Sequence, residues 1–375
     1  MADSLVWEFV QMFELSNVRG IVSSPYESDV LRVNGITYYR GGHPVPNEES
    51  LLAAEAALEI LAAVEESVPV VYLISGGGSA CFELPNSTIK LADLQSAYQT
   101  LVNSGANICE INQLRQKLSM VKGGKLAVAC NSKRQLALVV SDVPGTLINS
   151  VSSGPTSKPL ESDEGIESLI KKYPLLQSLP KSVMNLLSGD GQTITNATDD
   201  SVFEDNCESV CIGSNDDAIE SAKKYFQNCG WQVKVDRRFD ESAREVAAAG
   251  MLKSLDDMHG SVPCCVIGGG EVGSVVVGGG KGGRNQAFVL ECVPLIAGNR
   301  VAVMSFGTDG IDGNSPAAGA IADGQSMERA KQTDADPSLF EKESNSYEFF
   351  KRFDETIETG PTQVNVRDIR VLVRF

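Results

Sequence analysis

Short apolar runs that end in loops of glycine, serine or aspartate most constrain how this chain can fold. Examples are residues 70–75, 135–140 and 301–306. Continuous runs of this length and composition are typical of strands buried in a parallel sheet. Amphipathic segments with helical spacing, such as 91–104, lie between them. This alternation predicts an α/β fold with mostly parallel sheets.

The loops that follow these runs carry the groups that phosphoryl transfer needs. Cations occur at Lys122, Lys125, Lys281 and Arg284, and carboxylates at Asp142, Glu271, Asp309 and Asp312. Cations and glycine N–H groups neutralise phosphate oxygens, while carboxylates hold Mg²⁺ or orient a hydroxyl nucleophile. From the residues alone, the pattern predicts an α/β enzyme that handles anions.

Each of these signals has a structural alternative. A glycine-rich loop at 76–80 is equally consistent with a tight turn, and Asp142 with an Asx-turn or a helix cap. The chain has no Walker A motif, and Gly268-Gly269-Gly270 does not continue into a dinucleotide fingerprint. Nicotinamide chemistry is therefore not favoured.

Charge and hydropathy exclude several classes of partner. The net charge is −17, and both nucleic acid and an anionic membrane surface require a basic face. The apolar runs are far shorter than the ~20 residues that span a bilayer, and no signal-peptide core opens the chain. We expect a small-molecule substrate, no nucleic acid and no membrane.

The cysteines and histidines argue against metal thiolate or histidine chemistry. The nine cysteines lack zinc-ligand spacing, and the two histidines are His43 and His259. An odd number of scattered cysteines indicates reduced thiols inside a cell. With so few histidines, neither a zinc site nor a histidine-based mechanism is expected.

A series of motifs in one order resembles the type-2 glycerate kinases (glycerate 2-kinases), whose C-terminal half is called the MOFRL domain. The motifs are Ser75-Gly76-Gly77-Gly78-Ser79-Ala80, the Asn112, Arg115, Ser119 and Lys122-Gly123-Gly124 pattern, Ser141-Asp142-Val143, Ser153-Gly154-Pro155-Thr156, Ile212-Gly213-Ser214-Asn215, Gly269-Gly270-Glu271, Gly282-Gly283-Arg284-Asn285-Gln286 and Gly307-Thr308-Asp309-Gly310 with Asp312-Gly313. Each motif alone is weak, but their common order over nearly the whole chain is specific.

The resemblance implies ATP-dependent phosphorylation of D-glycerate to 2-phosphoglycerate with Mg²⁺. It implies a Rossmann-like parallel-sheet domain at 1–255 and a smaller C-terminal α/β domain of MOFRL type at 262–375. The implied catalytic residues are Asp142, Arg284 and Asp309, with Asp142 and Asp309 also as metal ligands. The implied nucleotide-binding or substrate-binding residues are Ser75, Gly76, Gly77, Gly78, Ser79, Asn112, Arg115, Lys122, Gly123, Gly124, Lys281 and Gly283.

The sequence departs from the family at its start. Family members begin with a further helical segment and a strand that leads to a Gly-Lys-Ala loop, whose lysine is taken to be catalytic. This sequence shows no counterpart before its first helix-like segment. One hypothesis is an active kinase whose amino-terminal part lies outside this sequence. Another is a diverged pseudoenzyme that binds glycerate or nucleotide without turnover. An NAD-type oxidoreductase of hydroxy acids is disfavoured for want of a fingerprint.

Location and assembly are less constrained. The expectation is a cytoplasmic protein, with a mitochondrial one as the alternative if a presequence precedes Met1. A homodimer is one assembly that the sequence leaves open.

Overall fold

The computed structural model describes residues 1–26, 32–159, 165–189, 202–259 and 263–375. The chain divides into two compact units, Met1–Ile212 and Gly213–Phe375. This boundary corrects the one expected near residue 255. The strand Gln232–Val235 pairs with the strand Cys264–Gly269, so residues 213–255 belong with the second unit. Part of the expected link, 260–262, lies outside the described residues.

The first unit surrounds short parallel sheets with helices. Its strands are β1 (Gly20–Ser24), β2 (Ile36–Arg40), β3 (Val70–Ile74), β4 (Gln135–Val140) and β5 (Cys207–Gly213). Its helices are α1 (Ala2–Met12), α2 (Glu48–Ala63), α3 (Gly78–Cys81), α4 (Leu91–Asn103), α5 (Ile108–Leu118), α6 (Lys125–Val128), α7 (Ile166–Lys172) and α8 (Lys181–Leu187). The order β3-β4-β5 defines one sheet and β1-β2 another. The pairs β1–β2 and β3–β4 are parallel, as predicted.

Local sequence explains where the helices of this unit begin. Asn47 and Asn107 each accept a hydrogen bond from a backbone N–H three residues later and form capping boxes at α2 and α5. Alternate residues of β3 and β4 face α2, so Tyr72 and Ala137 are buried with Leu61. A separate core joins α4, α5 and α8.

The second unit is built on one mixed sheet. Its strands are β6 (Gln232–Val235), β7 (Cys264–Gly269), β8 (Val301–Gly307), β9 (Gly319–Asp323), β10 (Thr356–Ile357) and β11 (Asp368–Arg374). Its helices are α9 (Asn215–Asn228), α10 (Arg244–Asp256), α11 (Arg284–Ile296), α12 (Ser326–Gln332), α13 (Pro337–Lys342) and α14 (Ser346–Lys351).

Strand order in this sheet is β10-β9-β8-β11-β7-β6. Only β6 and β7 are parallel among its pairs in the described residues. The expectation of mostly parallel sheets is therefore wrong for this unit, although the α/β class is confirmed. The final strand, β11, lies between β8 and β7 and runs against both, so its first residue meets their carboxyl ends. Among the described residues, the helices are too short or too polar to cross a membrane.

Candidate active site

In the first unit, the glycine loop after β3 and the aspartate after β4 lie at one sheet edge. The two strands are parallel with Ile74 opposite Val139, so their carboxyl ends meet, where α/β sheets bind ligands. A Cβ atom on Gly76 would lie 1.9 Å from Oδ2 of Asp142. The carboxylate therefore packs directly on the loop, and glycine is required for that approach.

His43 reaches the same loop from the end of β2. Its ring atoms Cδ2 and Nε2 lie 3.5 and 3.7 Å from the position of a Cβ atom on Gly77, whose φ is +85°. Partial burial lowers the pKa of His43, and the negative charge of Asp142 raises it by less. The sequence signal for His43 is its position just after the predicted strand 36–40. The presence of only two histidines in the chain argues against a histidine-based mechanism and so hides this signal.

A serine loop at 152–154 supports the glycine loop. Its three residues have positive φ values of 54°, 62° and 65°, a conformation found at functional loops held by their surroundings. Ser152 Oγ donates to the carbonyl oxygen of Ser75 at 2.6 Å. Ser153 Oγ donates to Oδ1 of Asn112 at 2.8 Å and lies 2.8 Å from Ser79 Oγ. Asn112 is therefore a buried anchor of this loop and not a ligand-facing residue.

Lys122 is buried away from the ligand edge, contrary to its predicted contact with a phosphate. Its side chain is 1% exposed. The ammonium donates to the carbonyl oxygens of Phe82 at 2.8 Å and Gly78 at 3.3 Å, and it lies 3.7 Å from Glu83 Oε2. Burial lowers the pKa of this lysine although Glu83 raises it. Because its donors are engaged inside the protein, Lys122 fixes the backbone of the glycine loop.

The two glycines after Lys122 are also structural. The N–H of Gly123 donates to the carbonyl of Ser153 at 3.2 Å, and that of Gly124 to Gly154 at 2.7 Å. Both glycines are buried, so the predicted phosphate contacts of this segment are replaced by support of the serine loop.

Arg115, another predicted nucleotide-binding residue, lies in the same interior cluster. Its guanidinium stacks 4.8 Å from the centroid of the Tyr98 ring. The Tyr98 hydroxyl donates to Glu83, the carboxylate that pairs with Lys122. The sequence spacing correctly puts Asn112 and Arg115 on one helix face, but that face is turned into the protein.

The second unit has its own group of charges at the carboxyl ends of β7 and β8. β11 runs antiparallel to both, with Asp368 opposite Gly307 and Ile369 opposite Gly269. Glu271 follows β7, so it joins Asp368 at this edge of the sheet. The sequence does not single out Asp368, because nothing marks the first residue of a terminal strand as functional.

Arg284, the first residue of α11, is clamped by these carboxylates. Its Nε and Nη2 lie 2.6 and 3.1 Å from the two oxygens of Asp368, and Nη2 lies 2.8 Å from Glu271 Oε1. Burial opposes the charge of Arg284, but Asp368 and Glu271 outweigh it and raise its pKa. The half-exposed guanidinium is thus fixed in direction by two carboxylates while part of it reaches solvent.

Asp312 holds the beginning of α11. It accepts backbone hydrogen bonds from Asn285 at 3.0 Å and Gln286 at 2.8 Å, and both side-chain amides also donate to it. A Cβ atom on Gly283 would lie 2.2 Å from its Oδ1. Gly283 is therefore needed for this cap, and Asp312 has its oxygens engaged.

Asp309 lies on the loop after β8. Its Oδ1 accepts the N–H of Ile311 at 3.1 Å and would lie 2.9 Å from a Cβ atom on Gly307, which also faces Asp368. Asp309 is thus close to the Arg284–Asp368 pair but not bonded to it. Lys281 is exposed, and its backbone is held by Asn345 and Tyr347.

The chemistry of the donors decides where a divalent cation fits. Glu245, Glu291 and Glu341 approach one another, but Arg244 already forms ion pairs with all three. Arg244 therefore offsets part of the negative charge of that cluster. Asp142 and Asp309 are half-buried carboxylates just after strands, and oxygen ligands suit Mg²⁺. Each therefore fits a metal ligand in its own unit.

A cavity of about 870 Å³ opens elsewhere, at the amino ends of β3 and β4, where Val70, Gln135 and Cys207 line it. This is the opposite end of the strands from the glycine loop. Neither Asp142 nor the glycine loop lines this cavity, so the candidate site lies at the other end of the strands.

Two family models match this chain. Residues 1–188 match the family described as domain of unknown function DUF4147, and residues 264–368 match the MOFRL family. A glycerate 2-kinase of Pyrococcus horikoshii is 33% identical over 93% of this chain and 79% of its own length. A protein of Agrobacterium vitis with the provisional name hydroxypyruvate reductase is 32% identical over 90% of this chain and 88% of its own length.

A solved structure has the same fold. The crystal structure of glycerate kinase from Thermotoga maritima superposes with a TM-score of 0.82 at 31% identity. The superposition covers 95% of this chain and 85% of that one.

Proposed function

This chain belongs to the glycerate 2-kinase family, and we propose that it transfers a phosphoryl group from ATP to the 2-hydroxyl of D-glycerate, giving 2-phosphoglycerate. The names of its relatives support glycerate phosphorylation. The observation that carries the proposal is the approach of the Asp142 carboxylate to Gly76. It combines, at the end of parallel strands, a loop for anions with a ligand for a cation.

In the first unit, the backbone N–H groups of the loop 76–79 are the proposed ligands of the nucleotide phosphates. A carboxylate with no cation bound to it would repel a phosphate at that loop. A Mg²⁺ ion bound by Asp142 would supply the charge that offsets this repulsion. Lys122 acts indirectly, because it holds the carbonyl oxygens of Gly78 and Phe82 and so fixes the loop.

In the second unit, Arg284 is the proposed ligand of the glycerate carboxylate or of the transferred phosphate. Its planar fork is already fixed by Asp368, which removes the entropy cost of ordering a long side chain. Asp309 is the proposed metal ligand there. Asp312 and Asp368 are not assigned to a metal, since each is already engaged by donors of its own unit.

The test is an assay of residues 1–375 with ATP, Mg²⁺ and D-glycerate, with the product identified by ³¹P NMR. We expect ADP release that depends on glycerate and a signal of 2-phosphoglycerate. Asp142→Asn is expected to lower kcat on the order of ~10²-fold or more at an unchanged melting temperature. The exposed Asp257→Asn is the matched control. Binding of glycerate and ATP without turnover, both by residues 1–375 and by a version extended with a family-type Gly-Lys-Ala segment, would instead identify a pseudoenzyme.

Reduction of hydroxypyruvate is the second candidate, favoured by the provisional name of one relative. The glycine loop at 76–78 lacks the spacing of a dinucleotide fingerprint. We expect no NADH or NADPH oxidation with hydroxypyruvate. Oxidation at a rate comparable to glycerate phosphorylation would favour the reductase.

A further inference from the structure

His43 and Asp142 approach two consecutive glycines of one turn. The carboxylate lies against Gly76 and the Cδ2–Nε2 edge of the imidazole against Gly77. Consecutive Cα atoms are about 3.8 Å apart, so both side chains border the same small region. The outer side of His43 is exposed, so a ligand can reach the ring.

The segment that carries His43 is attached to two helices. The N–H of Gly42 donates to Ser50 Oγ at the start of α2, at 2.9 Å. A Cβ atom on Gly41 would lie 2.2 Å from the carbonyl oxygen of Cys81, the last residue of α3. The imidazole is therefore held at the glycine loop by its backbone.

The two side chains have complementary hydrogen-bonding capacity. A carboxylate only accepts, whereas an imidazole has an N–H donor in either protonation state. A hydroxyl group donates one hydrogen bond and accepts others. A hydroxyl beside this turn can donate to Asp142 and accept from the ring N–H of His43. A phosphate oxygen would use only the donor, and its repulsion by Asp142 would need a bound cation to offset it.

We propose that His43 is a substrate-binding residue that, together with Asp142, orients the hydroxyl of the phosphoryl acceptor. This inference rests on the proposed function, since it names the part of glycerate that each group contacts. In the transfer, the hydroxyl oxygen forms a bond to the γ-phosphorus of ATP. The bond from that phosphorus to the ADP oxygen breaks, and the hydroxyl proton passes to Asp142, its hydrogen-bond partner.

The test compares two ligands and three proteins by calorimetry. The ligands are D-glycerate and 3-hydroxypropanoate, which lacks only the 2-hydroxyl. Wild-type protein should prefer glycerate, and His43→Ala should lose most of that preference, about tenfold for one hydrogen bond. His43→Gln keeps an amide N–H near the place of Nε2 and should recover part of it. If His43 had only a structural role, its substitution would weaken the binding of both ligands equally.

His259→Gln is the matched control, because His259 is the other histidine of the sequence and is exposed in the second unit. It should bind and turn over like the wild type. If the wild type neither binds nor phosphorylates D-glycerate, the proposed function fails. If the wild type phosphorylates glycerate and His43→Ala keeps the full preference for the 2-hydroxyl, only the role of His43 is overturned.

Discussion

Arg284 holds Asp368 through two parallel hydrogen bonds, Nε–Oδ2 at 2.6 Å and Nη2–Oδ1 at 3.1 Å. The aspartate side chain is 1% exposed, whereas the arginine is 39% exposed. The pair thus joins a buried anchor to a group that reaches solvent. We therefore expect folding stability to depend mainly on the pairing of Asp368, and ligand binding to depend on Arg284.

The first prediction separates these two contributions. Arg284→Ala leaves the buried carboxylate of Asp368 unpaired, which should cost about 1–3 kcal/mol of folding free energy. The double variant Arg284→Ala/Asp368→Asn removes that charge and should recover most of the loss in a urea titration. Both variants should lack glycerate kinase activity. Recovery of activity together with stability would show that Arg284 serves the fold alone.

The second prediction concerns a support of this pair. Asp240 receives two bonds from Arg367, at 2.7 and 2.8 Å, and accepts the backbone N–H of Glu271 at 3.0 Å. It therefore connects the residue before Asp368 with the second carboxylate on Arg284. Asp240→Asn keeps an acceptor but weakens the ion pair. We expect kcat/KM for glycerate to fall several-fold.

Asp236→Asn is the matched control for Asp240→Asn. It disrupts another aspartate–arginine pair of the same unit, Asp236–Arg238, which makes no contact with Glu271 or Arg284 among the described bonds. Its kcat/KM should match the wild type after correction for the folded fraction. Equal losses in both variants would mean that general destabilisation, and not positioning, explains the effect.

The third prediction tests the interior role of Lys122. Lys122→Met removes the cation from buried Glu83 and should cost roughly 3–5 kcal/mol, the usual effect of leaving one buried charge without its partner. Adding Glu83→Gln should restore part of that stability, as measured by thermal unfolding. Because the glycine loop loses this support but no phosphate ligand, the KM for ATP of the folded double variant should rise only several-fold. A much larger rise in KM would return Lys122 to the nucleotide site.

The fourth prediction is a pH dependence of stability. Hydrogen bonds from Arg238 and Ser254 lower the pKa of Asp236 to about 2, although burial raises it. Because the pKa is lower in the folded state, the stabilisation is complete above the unfolded pKa, roughly 3.9. It is lost as pH falls towards 2. The stability difference between wild type and Asp236→Asn should therefore be constant from pH 7 to 5 and shrink below pH 4.

The sequence predicts strands well where apolar residues follow one another without a break, as in much of β3, β4 and β8. It also places Asp142, Arg284 and Asp309 at strand ends or a helix start, where the structure has them. It fails where a side chain's direction depends on tertiary packing. Spacing puts Lys122 beside a glycine pair, but only the fold shows that its ammonium points to Phe82 and Glu83.

Other parts of the site depend on contacts between distant residues, which no local pattern reports. Asp368 lies 84 positions from Arg284, and the ring of His43 meets Gly77 only when β2 and β3 are both in place. The boundary between the two compact units depends on such contacts as well. Residues 213–255 have the alternation of a βαβ unit, but their strand β6 pairs with β7 of the second unit.

The central place of β11 between β7 and β8 has a consequence for how the protein is made. The ribosome makes this strand after both of its neighbours, yet it supplies both with hydrogen-bond partners and carries the anchor of Arg284. Until β11 leaves the ribosome, β7 and β8 each present an open edge and the arginine has no aspartate to hold it. The second unit therefore completes its sheet, and its share of the site, only after this strand has emerged.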